Sequence, residues 1–265
     1  MDLSNENILH VKKEGIEYLQ FKRLLEFDNL VHGYTLRTNN VDFKGVDNQF
    51  LDESYKKICT ALDIKKESIV RPGQSHTDCI KNVENSSDFN NVDGLITNKN
   101  GVNLTLSFAD CTPILFYDYE NKIIGNIHSG WRGTVQKIGP KAVEKMIEDY
   151  GSKPENIIAC IGPCIGKCHF EVEEDVKDIF EKTFSYLGMN CDIIKKQEKS
   201  DSNNKTKYKI DTTLINRIML QKIGLKPENI IESGVCTVCN SSLIHSFRAD
   251  KEKSGRNVAI LGKRD

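Results

Sequence analysis

Several familiar signatures are missing from this 265-residue chain. No run of about 18 apolar residues could span a bilayer, and the opening segment MDLSNENILHVKKEGIEYLQ holds no apolar signal core. Neither sign of charge is in excess. The 37 basic and 38 acidic residues leave a net charge of −1, so the electrostatic footprint of a nucleic-acid or membrane-surface partner is absent. No stretch rich in proline, glycine or serine divides the chain. There is no GxxxxGK[ST] loop and no GxGxxG after a strand, which removes the usual nucleotide-phosphate cradles, and no GxSxG elbow for a serine hydrolase. With 38 % hydrophobic and 28 % charged residues, a disordered or fibrous chain is excluded too. The expectation is one domain over residues 1–265, kept in a reducing cytoplasm.

What is present is an odd number of cysteines, nine. In a reducing compartment these are buried hydrophobes, metal ligands or nucleophiles rather than bridges. Their neighbourhoods sort them. Val102–Phe108 (VNLTLSF), Pro113–Tyr119 (PILFYDY) and Lys122–His128 (KIIGNIH) carry the β-branched and aromatic residues of strands, and a helix pattern starts near Thr134. Cys111 and His128 therefore sit at strand ends, where rigid scaffolds present reactive groups. Together with His76 in RPGQSHTD they form a ligand set of two imidazoles and one thiolate. Three protein ligands leave a zinc ion an open position. Asp110 is placed to orient a ligand histidine. Gly130 and Gly133 permit close approach of a ligand beside Trp131, and Arg132 stands near a helix start. Separate structural roles for the three residues remain open at this point.

Other clusters read more plainly. Cys160-x3-Cys164-x3-Cys168-His169 matches no established zinc or iron–sulfur spacing, so these thiols are expected to be buried or to line a loop. Cys236-x2-Cys239 lacks a second CxxC and a thioredoxin-like context, which favours a structural role at a strand edge. Arg37, Arg248 and Arg256 stand in loops beside glycines or aromatics, where a fixed guanidinium suits phosphate or carboxylate. The segment KPENII occurs at Lys153–Ile158 and again at Lys226–Ile231, each after a helical pattern closed by glycine; ALDIKKESIV at Ala61–Val70 is a weaker copy after a helix from about Asp52 to Leu62. Recurring helix–turn–strand units in an α/β or α+β domain follow. Lys195–Lys207 (KKQEKSDSNNKTK) reads as a solvated loop between strand ends.

In order along the chain, HGYTLR, GQSH, VDGLITN, SFADCTPILFYD, IHSGWRGT, IGPCIGKCHFEV, then Cys236-Thr237, HSFR and SGR resemble one family closely, from His32 to Arg256. It is the laccase-domain, or multicopper polyphenol oxidase-like, family of purine nucleoside phosphorylases, which includes the bacterial peptidoglycan editing factor. The resemblance implies a layered α/β/β/α fold of the α+β class with mixed sheets. It places zinc on His76, Cys111 and His128, and it gives the IGPCIGKC block no metal role. It implies phosphorolysis of adenosine, inosine and methylthioadenosine, with some adenosine deamination. The partners are then a purine nucleoside and phosphate, with neither nucleic acid nor membrane. The expected catalytic residues are Cys111, His128 and Asp110, and the expected substrate contacts are Arg37, Gln74, Arg132 and Arg248. The chain departs from the family after Arg37, where TNNVDFKG replaces a Gly-Gly-Val-Ser-like stretch, and at the Lys195–Lys207 insertion. Copper at the same triple, a cysteine hydrolase with Cys111 as nucleophile and His128 as base, removal of a misplaced serine from a muramyl nucleotide, and a non-enzymatic binding domain are the competing readings. A multicopper oxidase needs many more histidines than the six present.

Overall fold

The computed structural model describes the chain apart from residues 39–40, 46–48, 86–87, 188–192, 198–205 and 265, and the side chain of residue 85. Cys191 and most of the Lys195–Lys207 insertion thus lie outside the described residues. The chain opens with β1 (Ile8–Lys13), β2 (Ile16–Phe21), β3 (Leu30–Thr35) and α1 (Gln49–Leu62). Then come β4 (Ile69–Val70), β5 (Ile80–Asn82), β6 (Gly94–Thr97), β7 (Asn103–Phe108), β8 (Thr112–Asp118) and β9 (Ile123–Ser129). The central part continues through α2 (Trp131–Val135), α3 (Ile138–Tyr150), β10 (Ile157–Ile161), β11 (Glu171–Val172) and α4 (Glu174–Phe184). It closes with β12 (Ile194–Lys196), β13 (Tyr208–Ile210), α5 (Thr212–Lys222), β14 (Ile230–Glu232), α6 (Phe247–Asp250) and β15 (Asn257–Lys263).

Two six-stranded mixed sheets, ordered β1-β2-β3-β15-β7-β4 and β14-β10-β8-β9-β6-β5, face each other. Strand alternation shows how. In β8, Leu115 and Tyr117 join Leu104, Leu106 and Leu261 of the other sheet, whereas Ile114 and Phe116 point the opposite way, toward Ile138, Ala142 and Met146 of α3. In β15, Ala259 and Leu261 face the partner sheet, whereas Val258 and Ile260 pack on Leu51, Ile58 and Leu62 of α1. Side chains alternate between faces along a strand, so the layers run α1, first sheet, second sheet, α3. The fold is mixed α+β, in the expected α/β/β/α order. Strands buried on both faces read as continuous apolar runs, which is why 102–128 is so strand-like in sequence. A smaller sheet, β11-β13-β12, packs with α4 and α5 around Phe170, Phe180 and Phe184. β12 and β13, the flanks of the insertion, pair antiparallel.

The repeated KPENII segments become neighbours. Each forms a 3-10 turn, Pro154–Asn156 and Pro227–Asn229, leading into β10 and β14, and these two strands pair in parallel with Ala159 opposite Ile230. Gly151 and Gly224, with φ of 68° and 106°, end the preceding helices in the left-handed conformation that glycine tolerates. The weaker copy forms the turn Lys66–Ser68 and β4. One expectation needs correction. The helix expected from Thr134 starts earlier and is broken: α2 and α3 are separated by Gln136 and Lys137, of which Lys137 adopts φ 61°. Pro140, in the first turn of α3, forfeits no helical hydrogen bond there. Among the described residues no helix is long and apolar enough to cross a membrane.

Candidate active site

The β7–β8 and β9–α2 connections and the loop before β5 converge at the end of the second sheet. Cys111 follows Asp110, whose φ is 85°; His76 itself has φ 62°. Left-handed backbone at a non-glycine residue costs of order 1–3 kcal/mol and persists where the surroundings impose it. The imposition here is visible. Asp93, fully buried just before β6, accepts hydrogen bonds from the backbone N–H groups of Ser75 (3.2 Å), His76 (3.1 Å) and Thr77 (2.7 Å), from Thr77 Oγ1 (2.8 Å), and from His128 Nδ1 (2.7 Å). One carboxylate thus shapes the loop carrying one histidine and orients the ring of the other.

The ligand atoms of His76, Cys111 and His128 all lie within 4.8 Å of one another, with Cys111 Sγ 3.8 Å from His76 Nε2. Since Asp93 occupies His128 Nδ1, Nε2 is the nitrogen left to bind a cation. Gly130 lies against this group. A Cβ on it would come within 3.1 Å of both Cys111 Sγ and His76 Cδ2, so a bare backbone is required by space and not by its ordinary φ of −64°. The three donors, their spacing and the carboxylate behind His128 fit a metal ion. Burial works against ionising Cys111, but the His128 ring beside it, with His76, more than offsets this and draws the thiol down to about 6. Burial likewise opposes a charge on His128, and the Cys111 thiolate and Asp93 raise it to about 9. Burial alone would raise the Asp93 carboxyl, yet the hydrogen bonds from His128 and Thr77 hold it well below the usual carboxylate range.

The group opens on a cavity of about 760 Å³, within the size range of small-molecule sites. Arg71, Arg248 and Arg256 line it, and among the described residues none of the three has a carboxylate partner. Gln74 also lines it, but its amide is spent on the backbone of Ser107, donating to the carbonyl at 2.9 Å and accepting from the N–H at 2.7 Å.

Three expectations do not match this geometry. Asp110 does not orient a ligand histidine: its oxygens accept from Thr237 Oγ1 (2.5 Å) and the Arg248 N–H (2.6 Å), and Asp93 has that place. Arg37 lies outside the cavity wall, exposed and paired with Asp250 at 2.5 Å. Arg132 also lies outside it, exposed and stacked 4.3 Å over Trp131. Sequence reasoning passed over Asp93 within VDGLITN and Arg71 within RPGQSH. The signal available for Asp93 was a carboxylate opening a strand in a segment otherwise apolar.

Residues 33–264 match the family model described as multi-copper polyphenol oxidoreductase laccase, and the chain belongs to that family. Among its relatives, a Bacillus subtilis protein named purine nucleoside phosphorylase YlmD is 37 % identical over 65 % of this chain and 59 % of its own length. A Deinococcus radiodurans protein named purine nucleoside phosphorylase is 29 % identical over 90 % of this chain and 92 % of its own. The chain matches less than two thirds of the YlmD relative and 56 % of the mouse protein named purine nucleoside phosphorylase LACC1. The crystal structure of YlmD from Geobacillus stearothermophilus superposes with a TM-score of 0.84 at 26 % identity, covering 98 % of this chain and 100 % of that one.

Proposed function

We propose that this chain, acting as one domain in the cytoplasm, is a zinc-dependent purine nucleoside phosphorylase. Its substrates would be adenosine, inosine and methylthioadenosine, with adenosine deamination as a second reaction in the same cavity. The observation that carries the proposal is a three-ligand His/Cys group opening on a cavity lined by three guanidinium groups that, among the described residues, have no carboxylate partner; the names of the relatives support it. His76, Cys111 and His128 would hold the zinc, and such a centre supplies Lewis acidity with an open coordination position.

The chain's own residues supply the rest. Asp93 fixes the His128 tautomer and keeps Nε2 facing the cation. Arg71, Arg248 and Arg256 hold the hydrogen-phosphate dianion, whose oxygen bonds to ribose C1′ while the C1′–N9 electron pair leaves with the base; the phosphate's proton ends on the base, giving the ribose 1-phosphate dianion and a neutral purine. Asp110, with an oxygen committed to Thr237 and the other to the Arg248 backbone, acts as a positioning residue for the Arg248 segment and not as the acid that protonates the base. Aromatic rings at Phe170 and Phe247 in the wall suit a purine face.

A multicopper cluster built around these ligands is disfavoured by the fate of three of the four remaining histidines. His32 Nε2 accepts from the Phe21 N–H at 2.8 Å, His245 Nε2 meets the Val41 carbonyl at 3.0 Å, and His10 Nε2 meets Glu17 at 2.8 Å. Three assays separate the remaining readings. Adenosine is incubated with and without phosphate, and adenine, inosine, ammonia and ribose 1-phosphate are followed. Phosphate-dependent adenine and ribose 1-phosphate release is expected. Ammonia alone would reassign the chain as a deaminase. Release of serine from a muramyl nucleotide without nucleoside turnover would favour cell-wall editing, and turnover abolished by a thiol alkylator in metal-free protein would favour a cysteine hydrolase.

A further inference from the structure

A second His/Cys group lies outside the cavity. Cys168 and His169 lie on a turn closed by hydrogen bonds from the His169 and Phe170 N–H groups to the Gly166 carbonyl (both 2.9 Å). Cys236 and Cys239 lie on the turn after β14. A short parallel bridge holds the two turns together: Cys164 N–H donates to the Val235 carbonyl at 3.3 Å, and Thr237 N–H donates to the Cys164 carbonyl at 3.0 Å. The four ligand atoms all lie within 4.8 Å of one another. Cys168 Sγ is 3.7 Å from Cys239 Sγ, and His169 Nδ1 is 3.2, 3.6 and 3.5 Å from the sulfurs of Cys168, Cys236 and Cys239.

These separations have a simple meaning. Tetrahedral zinc with bonds of about 2.3 Å to sulfur and about 2.0 Å to nitrogen sets its ligands about 3.8 Å apart for sulfur pairs and about 3.5 Å for sulfur and nitrogen. A disulfide requires about 2.05 Å between sulfurs, far shorter than the spacing found. One nitrogen faces three sulfurs, so the arrangement is a ligand set and not a pair of thiols. The backbone around it is also adapted. The Gly166 N–H donates to Cys236 Sγ at 3.3 Å, and a Cβ on Gly166 would lie 3.2 Å from Cys168 Sγ and 3.3 Å from Cys236 Cβ.

We infer that Cys168, His169, Cys236 and Cys239 form a closed, four-ligand structural zinc site, separate from the open group at His76, Cys111 and His128. Its role is to clamp a segment of the cavity wall to the turn after β14. The segment carries Ile165 and Phe170 of the cavity wall. The turn carries Thr237, which bonds Asp110 beside Cys111. Arg248 ties the two sites together, donating to the His169 carbonyl at 2.7 Å through its side chain and to Asp110 through its backbone.

The test is metal stoichiometry on the full chain after reconstitution with zinc alone and gel filtration. Two equivalents per chain are expected in the wild type. C111A should keep one, and C168S/C239S should keep the other. Cobalt substitution of C111A provides a measurement that needs no variant of the second site: intense thiolate-to-cobalt charge transfer with tetrahedral d–d bands is expected. One equivalent in the wild type, lost entirely in C111A, would overturn the inference. So would a Cys168–Cys239 disulfide found by mass spectrometry in freshly purified protein, or a cobalt spectrum of C111A without thiolate bands. None of these outcomes touches nucleoside turnover, so the two readings fail separately.

Discussion

Among the described residues the molecule carries two His/Cys groups, and they differ in what surrounds them. The group at His76, Cys111 and His128 has three ligands, a buried carboxylate behind one of them, and a cavity on its free side. The group at Cys168, His169, Cys236 and Cys239 has four ligands, no carboxylate among those contacts, and its outer thiols Cys168 and Cys239 exposed. Ligand number decides between chemistry and architecture: three leave room for a substrate and four do not. The carboxylate matters for the same reason. A reactive centre must hold its ligands in one geometry while its contents change, and Asp93 imposes that geometry from a fully buried position, whereas the second group takes its shape from backbone turns.

The strongest way to break the comparison is Cys111→Ala. It should abolish nucleoside turnover and remove one zinc, leaving the fold intact by circular dichroism; full activity in Cys111→Ala protein that has lost that zinc would sink the mechanism. Asp93→Asn is next. The amide cannot accept from all five donors, so zinc affinity at the open site should fall about 10–100-fold, read by competition with a chromogenic chelator. Affinity at the four-ligand site should not change. Equal loss at both would mean that Asp93 supports the fold in general and not the His128 ring.

Thiol reactivity sharpens the contrast further. In metal-free protein the Cys111 thiol lies at about 6, below its ordinary value of 9.0, so its thiolate is populated above pH 6. Alkylation of Cys111, followed by peptide mass spectrometry, should rise through a midpoint near pH 6 and then level off. Burial raises Cys164 to about 11 and pushes Cys160 higher still, so both should remain unmodified at pH 7. Zinc should protect Cys111. A Cys111 midpoint near 9 would show that the imidazoles beside it exert no such pull.

How much of this was legible in the chain depends on sequence distance. The buried strands from β7 to β9 announce themselves because both faces are apolar, and the KPENII turns because glycine and proline act locally. His76, Cys111 and His128 could be grouped by ligand chemistry. Asp93 could not, because its role depends on β5 pairing in parallel with β6 and β6 with β9, which sets it against both a loop and a strand end. The second group was hidden by its spacing. Cys160, Cys164 and Cys168 look like one series, but Cys160 points into the core between the sheets and Cys164 meets Thr213 at 3.2 Å. Only Cys168 turns outward, to partners that a CxxC search leaves incomplete. The break at Lys137 was equally hidden, since a left-handed lysine has no composition signal.

The smallest expected effects come from the arginines, and they test whether the cavity and not mere motif membership selects the phosphate contacts. Arg132→Ala and Arg37→Ala remove exposed side chains outside the cavity wall, so KM for phosphate should stay within about twofold and stability within about 0.5 kcal/mol. Arg37 has an ion pair to lose, but at an exposed site such a pair contributes about 0–1 kcal/mol. Arg256→Ala should instead raise KM for phosphate, because its guanidinium lines the cavity, has no carboxylate partner among the described residues, and is anchored by donation to the Gly255 carbonyl at 2.9 Å. If Arg132→Ala weakened phosphate as much as Arg256→Ala did, the segment after Gly130 would have to swing inward on substrate binding. The stack on Trp131 would then be a resting position and not a structural one.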